Sequence, residues 1–194
     1  KKVNINLNHE FMKNYLSVIP ARGGSKGIKN KNLKLIDGKP LIYYTIDVCS
    51  NIFDKKKILV STDNKEISDY CSTLELNTSY LRPHSLSQDN SPMAETVLHA
   101  VDWYNKNNKE NVSNILLLQP TSPLRTVKDI ENAIYIYKKQ NLQSLVSVSP
   151  VINHPYECIK INDLNKCLNW NSLIKEKEKV HQRQKYANNY MWVD

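Results

Sequence analysis

Arg22, Ser25, Lys26, Lys29, Lys31 and Asn32 crowd into one short stretch of the run Leu16–Leu33, LSVIPARGGSKGIKNKNL. The apolar part of that run ends at Pro20. Glycines at 23, 24 and 27 then let the backbone bend sharply and turn its N–H groups toward a ligand. Cations in such a loop supply counter-charge, and the chemistry this combination suits is the cradling of phosphate. No GxxxxGK[ST] is present, and no GxGxxG opens a helix here. On loop composition alone, an exposed basic turn with glycines for geometry stands beside the phosphate cradle.

Other residues carry weaker signals. Asp63 closes VSTD at the end of an apolar run, where it can cap a turn or approach a magnesium ion. Arg82, in LRP, offers planar donors of the kind that meet a base carbonyl. Gln119 ends the apolar run Ile115–Leu118, and its carboxamide can both donate to and accept from a sugar. The five histidines show no metal-ligand spacing, and Cys49, Cys71, Cys158 and Cys167 show no CxxC or finger pattern. They read as reduced structural thiols.

The elements that must position these groups alternate along the chain. Leu16–Ile19, Ile58–Ser61, Ile115–Leu118 and Leu145–Val148 read as buried strands. Pro40–Cys49, Asn64–Leu74, Met93–Tyr104 and Val127–Tyr137 read as helices, the last with Thr126 and Asp129 as start signals. Such alternation predicts an α/β fold with a mainly parallel sheet covered on both faces. In that class, ligands bind beyond the carboxyl ends of the strands. The loops there, 21–32, 62–64 and 119–125, hold most of the residues above.

A chain of 194 residues is long enough for one domain with a core of its own. Its mean hydropathy is −0.55, and no stretch approaches the roughly 18 to 20 apolar residues of a membrane span. The net charge is +8, yet the basic residues are dispersed, and KEKEK at 175–179 alternates sign as a solvated helix face does. This argues against nucleic acid as partner and suits anionic small substrates.

IPARGGSKGIKNKNL resembles the first loop of the N-acylneuraminate cytidylyltransferases, the CMP-sialic acid synthetases. VSTD at 60–63, LRP at 81–83, LLLQPTSPLR at 116–125, HP at 154–155 and RQ at 183–184 continue that family's order. The resemblance implies a three-layer, Rossmann-like nucleotidyltransferase fold with a small dimerisation insertion. It also implies transfer of CMP from CTP to the anomeric hydroxyl of a nine-carbon 2-keto sugar acid, with Mg2+ and release of pyrophosphate. By resemblance, Arg22 and Lys31 are the catalytic cations. Arg22, Gly23, Ser25, Lys26, Lys31, Asn32, Arg82 and Ser91 hold the nucleotide, with SQDNSPM at 87–93 wrapping the cytosine. Gln119, Arg183 and Gln184 face the nonulosonic acid, with Arg183 on its carboxylate. Lys29 is left as a surface residue.

The same resemblance implies a cytoplasmic homodimer with residues 150–180 at the interface. Residues 1–11 are expected to be an extension or linker. Residues 12–194 are expected to form a domain lacking its C-terminal part, since the family's magnesium carboxylates would lie beyond Asp194. Tyr156-Glu157 follows His154-Pro155 where relatives often place a lysine that reaches the neighbouring subunit, and Lys160 comes later. Two other readings stay open. One is a nucleotidyltransferase for a different sugar. The other is a catalytically inactive nucleotide-binding or oligomerisation module of a larger protein.

Overall fold

A computed structural model describes residues 12, 14–25, 27–150, 160–161, 167–168 and 191–193. The chain separates into two compact units, Lys1–Gln140 and Asn141–Asp194.

The first unit is built around strand β1 (Tyr15–Pro20), whose residues from Tyr15 to Ile19 are all buried. A hairpin follows, β2 (Leu35–Ile36) against β3 (Lys39–Pro40). Its turn is Asp37-Gly38, with φ of 49° and 76°. Positive φ at both central residues is what a two-residue turn between twisted strands requires, and Asp-Gly tolerates it. The hairpin leads into α1 (Leu41–Ser50), then β4 (Ile58–Ser61), α2 (Lys65–Thr73), α3 (Met93–Asn108), β5 (Asn114–Leu117) and α4 (Val127–Lys139).

The long strands form one parallel sheet in the order β4-β1-β5. Alternation along the strands splits the core in two. Tyr15, Ile19, Ile58 and Val60 meet Ile42 and Ile46 of α1, Ile67 of α2, and Ile130 and Ile134 of α4. Leu16, Val18 and Leu59 meet Val97, Ala100, Val101 and Tyr104 of α3, with Tyr80 alongside. Helices therefore cover both faces, as the alternating pattern predicts. No helix among the described residues is long and apolar enough to cross a membrane.

Local chemistry fixes the helix starts. The Asn64 side chain accepts from the Ile67 N–H at 3.0 Å, capping α2. Thr126 and Asp129 form a full capping box at α4, each side chain taking the other's backbone N–H.

Two expected strands differ. Among the described residues β5 lies at the edge of the sheet, and it is not buried throughout: Ile115 and Leu117 are 43% and 39% exposed, while Leu116 faces the core. In the second unit, the strand is β6 (Val148–Pro150), displaced from the expected Leu145–Val148. It pairs antiparallel with β9 (Met191–Val193), and a short antiparallel pair joins β7 (Lys160–Ile161) to β8 (Cys167–Leu168). Val146 and Val148 are exposed. Alternation of valine and serine in this stretch is the mark of a half-covered antiparallel strand, and an internal parallel one would be apolar throughout.

Candidate nucleotide site

The loop after β1 leaves the centre of the sheet and is pinned at once. The Ala21 N–H donates to the Ser61 carbonyl at the end of β4 (2.8 Å). Gly23 donates its N–H to Asp63 Oδ1 at 2.9 Å. Gly23 also sits so close to α2 that a Cβ placed on it would lie 2.8 Å from Asn64 Cβ. Here glycine is required by space. Further on, Asn30 adopts φ 54°, and the chain makes a 3-10 turn over Lys31–Leu33. That turn brings Asn32 back under the loop, 5% exposed, to donate its side-chain amide to the Arg22 carbonyl at 3.0 Å. Ser25 closes a tight turn by donating its N–H to the Gly23 carbonyl at 2.9 Å. Arg22, Gly23, Asn30, Asn32 and Asn64 border a shallow surface recess.

The loop after α2 meets it from the other side. Arg82 runs its backbone beside the end of β4, its N–H donating to Thr62 O at 2.7 Å. Its guanidinium folds inward, with Nε donating to Ser61 Oγ at 3.0 Å and Nη2 to the Ser61 carbonyl. Arg82 is 6% exposed. Burial pulls its pKa below the ordinary arginine range, and the nearby Tyr80 and Asp63 oppose that pull. It remains a cation at any working pH. Next, residues 84–91 are stitched by their own serines. The Ser91 hydroxyl donates to Ser85 O and accepts from the Gln88 N–H, both at 3.0 Å. From this segment the Asp89 carboxylate reaches Arg22 Nη2 at 2.8 Å. The Ser87 carbonyl accepts from Arg22 Nη1 at 3.5 Å.

The structure thus brings together Arg22, Gly23, Asn32 and the 84–91 segment at the carboxyl ends of β1 and β4. Lys31 is half-buried in the same loop. Gln119 follows β5, whose register with β1 (Val18 opposite Leu117) continues through the Leu118 N–H to the Val18 carbonyl. The Gln119 backbone is therefore carried to the end of β1, and the residue is exposed. Lys26, Arg183, Gln184, His154 and residues 1–11 lie outside the described residues. Among the described residues, no group of three or more His, Cys, Asp or Glu could hold a metal ion.

Three partners were not assigned by sequence reasoning. Asp89 and Ser87 fall in a stretch expected to wrap a base, and only the opposite charge of Asp89 hints at Arg22. Asn64 is visible as a helix cap, but its close packing on Gly23 is not. Asp63 takes the capping role, and it does so on a loop forty residues earlier.

A family model described as cytidylyltransferase matches residues 16–191. The chain belongs to the cytidylyltransferase family. Among curated relatives, it is 40% identical over 149 residues to a CMP-N,N'-diacetyllegionaminic acid synthase of Legionella pneumophila, covering 76% of this chain and 62% of that protein. It is 36% identical over 142 residues to an N-acylneuraminate cytidylyltransferase of Streptococcus agalactiae, covering 72% of this chain and 33% of that protein. The chain thus spans less than two thirds of either relative. Among solved structures, a CMP:2-keto-3-deoxy-manno-octonic acid synthetase complexed with CTP matches 93% of this chain and 71% of its own, with a TM-score of 0.59 at 16% identity. That likeness supports a Rossmann-like α/β fold for this chain.

Proposed function

We propose that this chain binds CTP and serves the transfer of CMP to the anomeric hydroxyl of a nine-carbon 2-keto sugar acid, releasing pyrophosphate. The observation that carries the reading is the placement of the basic glycine loop. It sits at the carboxyl end of the central strand, where open parallel sheets bind ligands, and is braced there by Asn32 and Asp63. In the reaction, the sugar hydroxyl oxygen forms a bond to the α-phosphorus as the bond to the β-phosphate oxygen breaks. The hydroxyl proton passes to water, and the bridging oxygen leaves with the pyrophosphate. Such a displacement needs positioning and charge neutralisation more than covalent help.

Arg22 and Lys31 would meet the charge on the phosphates, with Ser25 and Lys26 beside them. Arg82 and the Ser91 segment would lie toward the cytidine. Arg82 already uses donors on Ser61, so its remaining N–H groups, and the rigidity it lends the end of β4, are what it offers. Gln119, Arg183 and Gln184 would hold the sugar acid. Magnesium, when bound, would neutralise charge on the triphosphate. The described residues do not fit a protein-held site for it, since Asp63 and Asp89 face Gly23 and Arg22. The reading includes a homodimer in the cytoplasm.

Relatives are named for N,N'-diacetyllegionaminic and N-acylneuraminic acids, so these are the acids to try first. The deciding experiment is calorimetric titration of the 194-residue chain with CTP and UTP, with and without magnesium. Product analysis with both acids follows. Selective binding of CTP and formation of a CMP-sugar are expected. Binding of neither nucleotide would leave an inactive module as the better account.

A further inference from the structure

The contact that stands out is between Arg22 and Asp89. Arg22 is the residue assigned to the triphosphate, yet its guanidinium already holds an anion of the chain's own. Asp89 Oδ1 lies 2.8 Å from Nη2, and the Ser87 carbonyl takes Nη1. Both acceptors come from the short segment 84–91, which is stapled to itself through Ser91. That segment overlaps residues 87–93, the stretch expected to meet the nucleobase. One ion pair therefore joins the phosphate arm of the site to its base arm.

The pair is neither buried nor locked. The side chains are 31% and 42% exposed, so water reaches both. Ion pairs of this kind contribute little net free energy and exchange readily. A polyphosphate brings several charges to Arg22 where Asp89 brings one, and so can displace it. The carboxylate is well suited to keep Arg22 pointed into the site, and too weak to keep a triphosphate out.

We propose that Asp89 is a positioning residue and internal competitor for the triphosphate: it occupies the Arg22 guanidinium in the free chain and is displaced by the phosphates. This rests on the CTP-binding reading above. Asp89 thus costs some ground-state affinity. It also links phosphate binding to release of the 84–91 segment.

The test is a set of titrations of CTP and of inorganic pyrophosphate into wild-type chain, Asp89→Asn, Arg22→Gln and the double variant. Asp89→Asn should bind both ligands about three- to tenfold more tightly, an effect that shrinks at high salt. In the Arg22→Gln background the same change should have little effect. Asp89→Ser serves as a second removal of the charge should the amide perturb the segment, and Asp89→Glu should restore wild-type behaviour. Unchanged or weaker binding by Asp89→Asn and Asp89→Ser, with wild type binding CTP normally, overturns the proposal alone. A wild-type chain that binds neither ligand overturns the CTP reading and this one with it.

Discussion

Gly23 donates its backbone N–H to Asp63 Oδ1 at 2.9 Å, tying the loop after β1 to the loop after β4. β1 and β4 are parallel neighbours, with Pro20 opposite Ser61, so their following residues leave the sheet side by side. The tie converts that adjacency into a fixed loop. It also means that the Gly23 N–H serves the loop's own architecture, and the expectation that glycine amides there all face a ligand is too simple. Hydrogen bonds to a charged partner contribute about 1.5–3 kcal/mol. Asp63→Ala should therefore lower unfolding stability by about 1–2 kcal/mol and weaken CTP binding roughly fivefold or more. Asp63→Asn keeps an acceptor oxygen and should retain most of both. Urea unfolding and calorimetry check this, and equal losses in the two variants would mean that charge, and not the tie, is what matters.

Gly23 and Gly24 are adjacent, yet they should respond oppositely to a methyl group. A Cβ on Gly23 would lie 2.8 Å from both Cβ and Nδ2 of Asn64, the cap of α2, while a Cβ on Gly24 meets nothing within 4 Å. Overpacking of this sort costs about 1–3 kcal/mol. Gly23→Ala should lose about that much stability and most CTP affinity; Gly24→Ala should stay close to wild type. Thermal melts of the two variants decide it, and a Gly23→Ala chain as stable as Gly24→Ala would show that the loop relaxes freely.

Asn32 was expected to face the nucleotide. It is buried, and its amide supports the Arg22 carbonyl from beneath. Asn32→Ala leaves that carbonyl without its donor and should cost about 1–2 kcal/mol. Asn32→Asp should be worse, because a carboxylate oxygen then confronts the carbonyl oxygen. The expected order of melting temperature is wild type, then alanine, then aspartate. Aspartate above alanine would indicate that the side chain turns outward to the loop's lysines and does not brace Arg22.

The parts of this molecule legible in the sequence are those set by local periodicity. The apolar run of β1, the helical spacing of Ile130 and Ile134, and the Thr126–Asp129 cap need only near neighbours to be recognised. The Asp37-Gly38 hairpin was equally local and was missed because each of its strands has only two residues. What stayed hidden depends on contacts between distant segments. Nothing in LRP says that Arg82 turns inward onto Ser61, and nothing in SQDN says that its aspartate meets Arg22. Ile115 and Leu117 are exposed on β5, which lies at the sheet edge among the described residues, a position that strand composition cannot reveal.

The buried thiols make a prediction about alkaline pH. Burial pushes the Cys49 thiol up to about 11, opposed in part by its contact with Ser17. Burial alone pushes Cys71 up to about 12. Tyr104 is likewise pushed up to about 12, by burial first and then by Glu110. Each group holds its proton more tightly in the folded chain than in the unfolded one, where thiols ionise near 8.5 and phenols near 10. Their contribution to stability is therefore fully present below about pH 8.5 and declines as pH rises through the folded values. Urea midpoints should fall steadily from pH 8.5 to pH 11. At pH 8.5 in native buffer, iodoacetamide followed by peptide mapping should leave Cys49 and Cys71 unmodified, while in urea both should react. Rapid native labelling of either would show that the sheet–helix interface opens far more often than its burial implies, and the alkaline decline should then be shallow.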